Sequence, residues 1–209
     1  MSIYAVSMNE DQTQTKPLRL NKTLHVSLKQ LLVLILVIVA VTATFVWASD
    51  RVAIHERWAS ELEMSQQFGI HFSEVYVRLP SITENVTTDP THFWFLNELD
   101  YAQWTLDQLI ELDGAHTSEL YRVEDLIQTL IESGTNGIQL NDSQFSSLGS
   151  TINSIAQKLP EAYWDPLNST SVDSRTGPPF WYLGPSPPDE AILQQVATLA
   201  TYAKGIVAQ

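Results

Sequence analysis

The chain has 209 residues, with 11 Lys plus Arg against 24 Asp plus Glu, a formal net charge of −13 and no cysteine. The lack of cysteine excludes disulfides, thiolate nucleophiles, Cys-bound zinc, iron–sulfur clusters and c-type haem attachment. The negative charge excludes binding along a phosphate backbone, so no nucleic-acid partner is expected. It is unevenly divided. Lys16, Arg19, Lys22 and Lys29 stand against Glu10 and Asp11 before residue 31, a net +2, whereas the residues after 48 carry seven basic and 22 acidic side chains, a net −15.

Residues 1–23 are polar and aperiodic and read as a disordered cytoplasmic tail. Residues 24–48 read as a signal anchor. Its centre, residues 31–48, is an unbroken apolar run without charge. At about 1.5 Å per residue its eighteen residues span roughly 27 Å, close to the hydrocarbon thickness of a bilayer. Membrane lipid is therefore the expected partner of residues 31–48. Lys22 and Lys29 outweigh Arg51 and Arg57, which Asp50 and Glu56 accompany, so the N-terminus is expected inside and the acidic domain outside. Val46-Trp47-Ala48 offers an alternative, cleavage as a signal peptide. That leader would have about 48 residues, beyond the usual 15–30. An outer domain without disulfides points to a prokaryotic envelope.

Residues 49–209 are expected to form an extracytoplasmic helical bundle. Ile54, Trp58, Leu62, Ser65, Phe68, Phe72, Val75 and Leu79 recur at helical spacing, so the membrane helix continues as a stalk into the first helix of the domain, and Pro80 ends it. Asp89-Pro90 opens a second helix, buried through Phe95, Leu99, Ala102, Leu106, Leu109 and Ile110 and widened by Trp94, Tyr101 and Trp104. Gly114 ends it. A third begins near Thr117 or Ser118, buries Leu120, Val123, Ile127, Leu130 and Ile131, and stops at Gly134. Asn141 or Asp142 caps a fourth, with Phe145, Leu148, Ile152, Ile155 and Leu159 inward and Pro160 as its limit. Residues 160–188 hold seven prolines and five aromatics and are expected to wrap the bundle. Pro188-Asp189-Glu190 opens a last helix, with Ile192, Val196, Leu199, Ala203 and Ile206 inward. The fold class is thus all-α: one N-terminal transmembrane helix continuing into an up-and-down bundle of four to five helices, with no strand pattern, no repeat and no second span.

Motifs of catalysis are missing. There is no Gly-rich phosphate loop, no Gly-x-Ser-x-Gly elbow and no His-Glu-x-x-His, so no enzyme and no cofactor is expected. His71-x-x-Glu74 and His116-x-x-Glu119 repeat a spacing that can place two ligands on one helix face. Di-metal bundles use the reverse order, Glu-x-x-His, and Glu74 falls about 160° from Phe72 at 100° per residue, on the solvent side. Solvated side chains are the plainer reading, and no metal site is expected. The scattered acids Glu98, Asp100, Asp107, Glu111, Asp113, Glu124 and Asp125 read as an exposed helix face.

Asn85, Asn141 and Asn168 each begin an Asn-x-Ser/Thr sequon and are candidate glycosylation sites, with Asn141 also a candidate helix cap. Tyr163, Trp164, Phe180, Trp181 and Tyr182 form the candidate interaction surface, because Trp and Tyr anchor interfaces; the plainer reading packs them on the bundle. Together these features point to a single-pass envelope protein whose acidic ectodomain is an interaction or accessory subunit of a membrane or cell-surface complex. Its partner is another membrane or envelope protein or a second copy. The alternatives are a sensor-type bundle binding a small ligand and acting through a partner, and a metal-binding bundle.

Overall fold

The computed structural model describes residues 27–83, 90–136, 140–164 and 188–208. The tail 1–23, the sequons Asn85 and Asn168, Asp89, and Phe180, Trp181 and Tyr182 of the wrapping segment lie outside them. The described residues are helical and contain no strand. Among the described residues there are five α-helices: α1 (Leu28–Arg78), α2 (Pro90–Asp113), α3 (Thr117–Asn136), α4 (Asp142–Ala162) and α5 (Glu190–Val207), with a 3₁₀ turn over Leu79–Thr83.

The chain divides into two compact units, residues 1–46 and 47–209. In the first, α1 opens on a reciprocal cap. Ser27 N donates to Gln30 Oε1 (2.9 Å) and Gln30 N donates to Ser27 Oγ (3.3 Å). From Leu31 to Val46 every side chain is exposed and the surface is apolar all round. Thr42 and Thr44 turn their hydroxyls back to the carbonyls of Ile38 and Ala40 (2.8 Å each), so neither leaves a donor unmet. The helix that carries this stretch is long and apolar enough to cross a membrane.

In the second unit α1 changes character, because its apolar residues fall on one stripe. Trp58, Ser65, Phe68, Phe72, Val75 and Leu79 are buried as the spacing requires, Leu62 partly so, and Ile54 is exposed. The core joins this stripe to Phe95, Leu99, Ala102, Leu106 and Leu109 of α2, to Leu120, Val123, Leu126, Ile127 and Leu130 of α3, to Leu148, Ile152, Ile155 and Leu159 of α4, and to Leu193, Val196, Ala200 and Ala203 of α5. On α5 the inward face is turned slightly from expectation. Leu193 and Ala200 are buried, while Ile192 and Leu199 are only partly covered. The reason is packing on two sides, since α5 contacts both α3 and α4. Polar ties follow the same pairs: Lys204 Nζ to Asp125 Oδ2 (2.6 Å) and Gln194 to Glu119 join α5 to α3, and Lys158 Nζ to Gln195 Oε1 (3.0 Å) and Ser147 to Tyr202 (3.0 Å) join it to α4.

Helix starts and stops follow local chemistry, with two corrections. Asn141 caps α4, accepting from Gln144 N (2.9 Å) while its own N–H donates to Gln144 Oε1 (3.1 Å), and Asp189 caps α5 through Ala191 and Ile192. Gly114 ends α2 with φ of 60°, the left-handed conformation that favours glycine. Gly134 does not end α3, which runs on to Asn136. A Cβ there would lie 3.2 Å from both Phe95 Cε1 and Leu96 Cδ2, so the residue serves close packing against α2 rather than a turn. Pro160 does not limit α4 either; the helix continues to Ala162. Proline removes the N–H that would bond the Ala156 carbonyl. At that point α1 presents Gly69, whose missing Cβ would meet Ala156 O and Pro160 Cγ at 2.7 Å each. The proline and the glycine thus share one close helix contact.

Candidate functional site

The most individual surface of the domain is the outward side of the α1–α2 pair. His71 Nδ1 and Glu98 Oε2 pair across the seam at 2.8 Å, and the His71 ring stacks on Tyr101 with centroids 5.1 Å apart. One step along, the Arg78 guanidinium lies over the Trp94 ring at 5.9 Å. These contacts hold Trp94 and Tyr101 at the seam, yet each is 49% exposed, and Trp104 is 57% exposed. Ile70 and Val77 stand exposed on α1, one heptad apart. The expectation that Trp94, Tyr101 and Trp104 widen the buried face of α2 is therefore corrected: they stand on its outer side. The signal was present in the sequence. At about 100° per residue the three fall roughly 140–160° from Leu99, the middle of the buried stripe. Beyond α1, a groove of about 540 Å³ lined by Tyr76, Val77, Leu79, Pro80, Phe145 and Gly149 runs between α1 and α4.

Of the aromatics named from the sequence, Tyr163 is buried at 3% exposure and its hydroxyl donates to Asp113, so its ring is part of the core. Trp164, the next residue, is half-exposed. Asn141 is engaged as the α4 cap through Oδ1. The two His-x-x-Glu pairs are split. His71 turns to Glu98 while Glu74 pairs with Arg78 (3.4 Å); His116 turns to Asp113 while Glu119 meets Ser118 and Gln194. Among the described residues no group of three or more His, Asp or Glu side chains is placed to hold a metal ion.

A second arrangement, not legible from spacing, sits where α2 turns into α3. The Asp113 carboxylate is buried and accepts from the Tyr163 hydroxyl and from His116 Nδ1 (3.0 Å). Its backbone carbonyl accepts from Arg57 Nη2 (2.6 Å), and Arg57 Nε donates to Glu61 Oε1 (2.8 Å). Burial pushes the Glu61 carboxyl above the ordinary carboxylate range, against the pull of Arg57. Burial also raises the Tyr163 phenol far beyond its usual value, reinforced by its bond to Asp113, so it stays a neutral donor. On the outer face of α2 and α3, Asp107 and Glu124 are both raised, first by partial burial, then by neighbouring carboxylates; Asp107 is among those acting on Glu124. Asp113 was expected on an exposed face, and its burial depends on residues 50 or more positions away in the chain, which no local pattern reveals.

Comparison of the chain with models of known protein families, with curated proteins and with solved structures finds no match in any of the three.

Proposed function

We propose that this protein is a single-pass membrane-anchored envelope protein whose acidic helical ectodomain acts as an interaction or accessory subunit of a membrane or cell-surface complex. The observation that carries the reading is the outward aromatic face of α2, where Trp94, Tyr101 and Trp104 each stand about half exposed. Trp and Tyr contribute large contact area at small entropic cost and dominate protein interfaces. The anchor is residues 24–48, the N-terminus is cytoplasmic and residues 49–209 are outside, as Lys22 and Lys29 favour. The helices run up and down. The contacts Arg57–Asp113, His71–Glu98 and Arg78–Trp94 support this, because they climb α1 while descending α2.

The alternative is a small-ligand-binding bundle that signals through a partner, for which the groove at Tyr76, Leu79, Phe145 and Gly149 is the candidate pocket. Extraction from native membranes in mild detergent through a C-terminal tag, followed by native mass spectrometry, separates the two. A stoichiometric protein partner, lost when Trp94 and Trp104 are both changed to Ser, supports the interaction subunit. A lone species carrying a small molecule overturns it in favour of the alternative. The same spectrum shows whether residues 1–48 are retained and whether Asn85, Asn141 and Asn168 carry glycans.

A further inference from the structure

Of the sequons after the apolar span, the one at the start of α4 is described in full. Asn141, Asp142 and Ser143 are all exposed, and no proline stands between the asparagine and the serine. The same asparagine caps α4. Its amide group is thus claimed twice, and the geometry separates the two claims.

A backbone N–H only donates, so the Asn141 side-chain atom 2.9 Å from Gln144 N is the oxygen, Oδ1. The Ser143 hydroxyl donates to that same oxygen at 2.6 Å. The other half of the cap, Asn141 N to Gln144 Oε1 (3.1 Å), uses the main chain. The cap therefore takes Oδ1 and the backbone, and no hydrogen bond holds Nδ2 among the described residues. N-glycosylation needs Nδ2 alone. Replacing one of its two hydrogens by a sugar leaves the Oδ1 lone pairs, and with them the cap, in place.

We propose that Asn141 carries an N-linked glycan in the mature fold and caps α4 with the sugar attached. The co-substrate is a lipid-linked sugar phosphate. Its C1–O bond to phosphate breaks and the phosphate departs with the electron pair, the Nδ2–C1 bond forms, and Nδ2 releases one proton. The inference rests on the outward orientation proposed above for residues 49–209, because this transfer takes place on the outer side of the membrane.

Glycopeptide mass spectrometry of the full chain, purified from its native membranes, tests it. Trypsin releases residues 123–158 as one peptide, in which Asn141 begins the sole sequon. That peptide should carry the mass of one or more sugars. The mass should vanish in Asn141→Asp, whose carboxylate still caps the helix, and in Ser143→Ala, and it should persist in Ser143→Thr. The Gln144 amide should be as protected from hydrogen exchange in the glycosylated chain as in Asn141→Asp; faster exchange with the sugar attached overturns the shared use of the residue. An unmodified 123–158 peptide overturns the proposal, as does a sugar mass that survives in Asn141→Asp. The sequon Asn21-Lys22-Thr23, before the span, distinguishes this failure from that of the orientation. A sugar on Asn21 and none on Asn141 overturns both. With neither modified, while protease added to intact cells cuts within residues 49–209, the orientation stands and the proposal alone falls.

Discussion

Both sides of α2 carry large apolar side chains and treat them in opposite ways. Phe95, Leu99, Ala102, Leu106 and Leu109 are sealed completely, whereas Trp94, Tyr101 and Trp104 on the same helix stand about half in water. Composition does not distinguish them; angle about the helix axis does. Inner residues belong to the common core, while outer ones are held by single contacts such as His71 stacked on Tyr101 and Arg78 over Trp94. Inner substitutions should therefore register in stability and outer ones in binding.

The largest effect belongs to the inner side. Leu106→Ala should cost about 2–5 kcal/mol, because a fully buried leucine leaves a cavity that five helices cannot all relax to fill. Chemical denaturation of the ectodomain in the detergent-solubilised chain measures it, and a cost near zero would erase the distinction between the two sides. Gly69→Ala comes next, at about 1–3 kcal/mol, because its new Cβ meets the Ala156 carbonyl, a backbone atom that cannot swing away. Gly205→Ala is the matching control on the outside. No atom lies within 4 Å of that Cβ, so the change should stabilise α5 by about 0.5–1 kcal/mol.

Much of this inner side was legible in the sequence, and for definite reasons. The stripes of α1, α2 and α4 repeat every three or four residues, and Asn141, Asp189 and Gly114 punctuate them with side chains and backbone that act within one turn. What the sequence hid is whatever depends on a second helix. Pro160 reads as a stop until Gly69 is beside it, Gly134 reads as a turn until Phe95 covers it, and Asp113 reads as exposed until the Tyr163 hydroxyl meets it. The outer aromatics differ, because their angle about the axis is written in the sequence while their hydrophobicity alone points inward.

Glu61 is the exception on the inner side, a carboxylate at 7% exposure, and it gives a smaller, pH-dependent effect. Its folded carboxyl is raised above the ordinary value of 4.5, chiefly by burial. The folded state therefore holds this proton more tightly than the unfolded chain. The associated stability is complete below pH 4.5 and is lost as pH rises through the raised folded value. Glu61→Gln should remove that part of the slope, so the stability difference between native and variant chains should change with pH just above 4.5 and then level off. A difference that is flat across that window would show that Glu61 is not held in the folded state as its burial implies.

The smallest effect on stability should come from the outer side. Trp94→Ser and Trp104→Ser each remove a half-exposed ring, so each should change stability by less than about 1 kcal/mol. Trp94 is the stricter case, because the change also removes the ring beneath Arg78. Exposed cation–π contacts are worth about 0.5–1 kcal/mol at most, so even that loss stays well below the cost of Leu106→Ala. The functional readout should run the other way. Hot spots at interfaces cost about 2 kcal/mol or more on truncation, roughly thirtyfold in affinity, and Trp leads the residues that make them. Co-purification from native membranes should fall steeply in the double Trp variant and stay intact in Gly205→Ala. A double variant that unfolds would place the two rings with the inner side after all. One that folds and keeps every partner would leave the outer side of α2 without the role its aromatics imply.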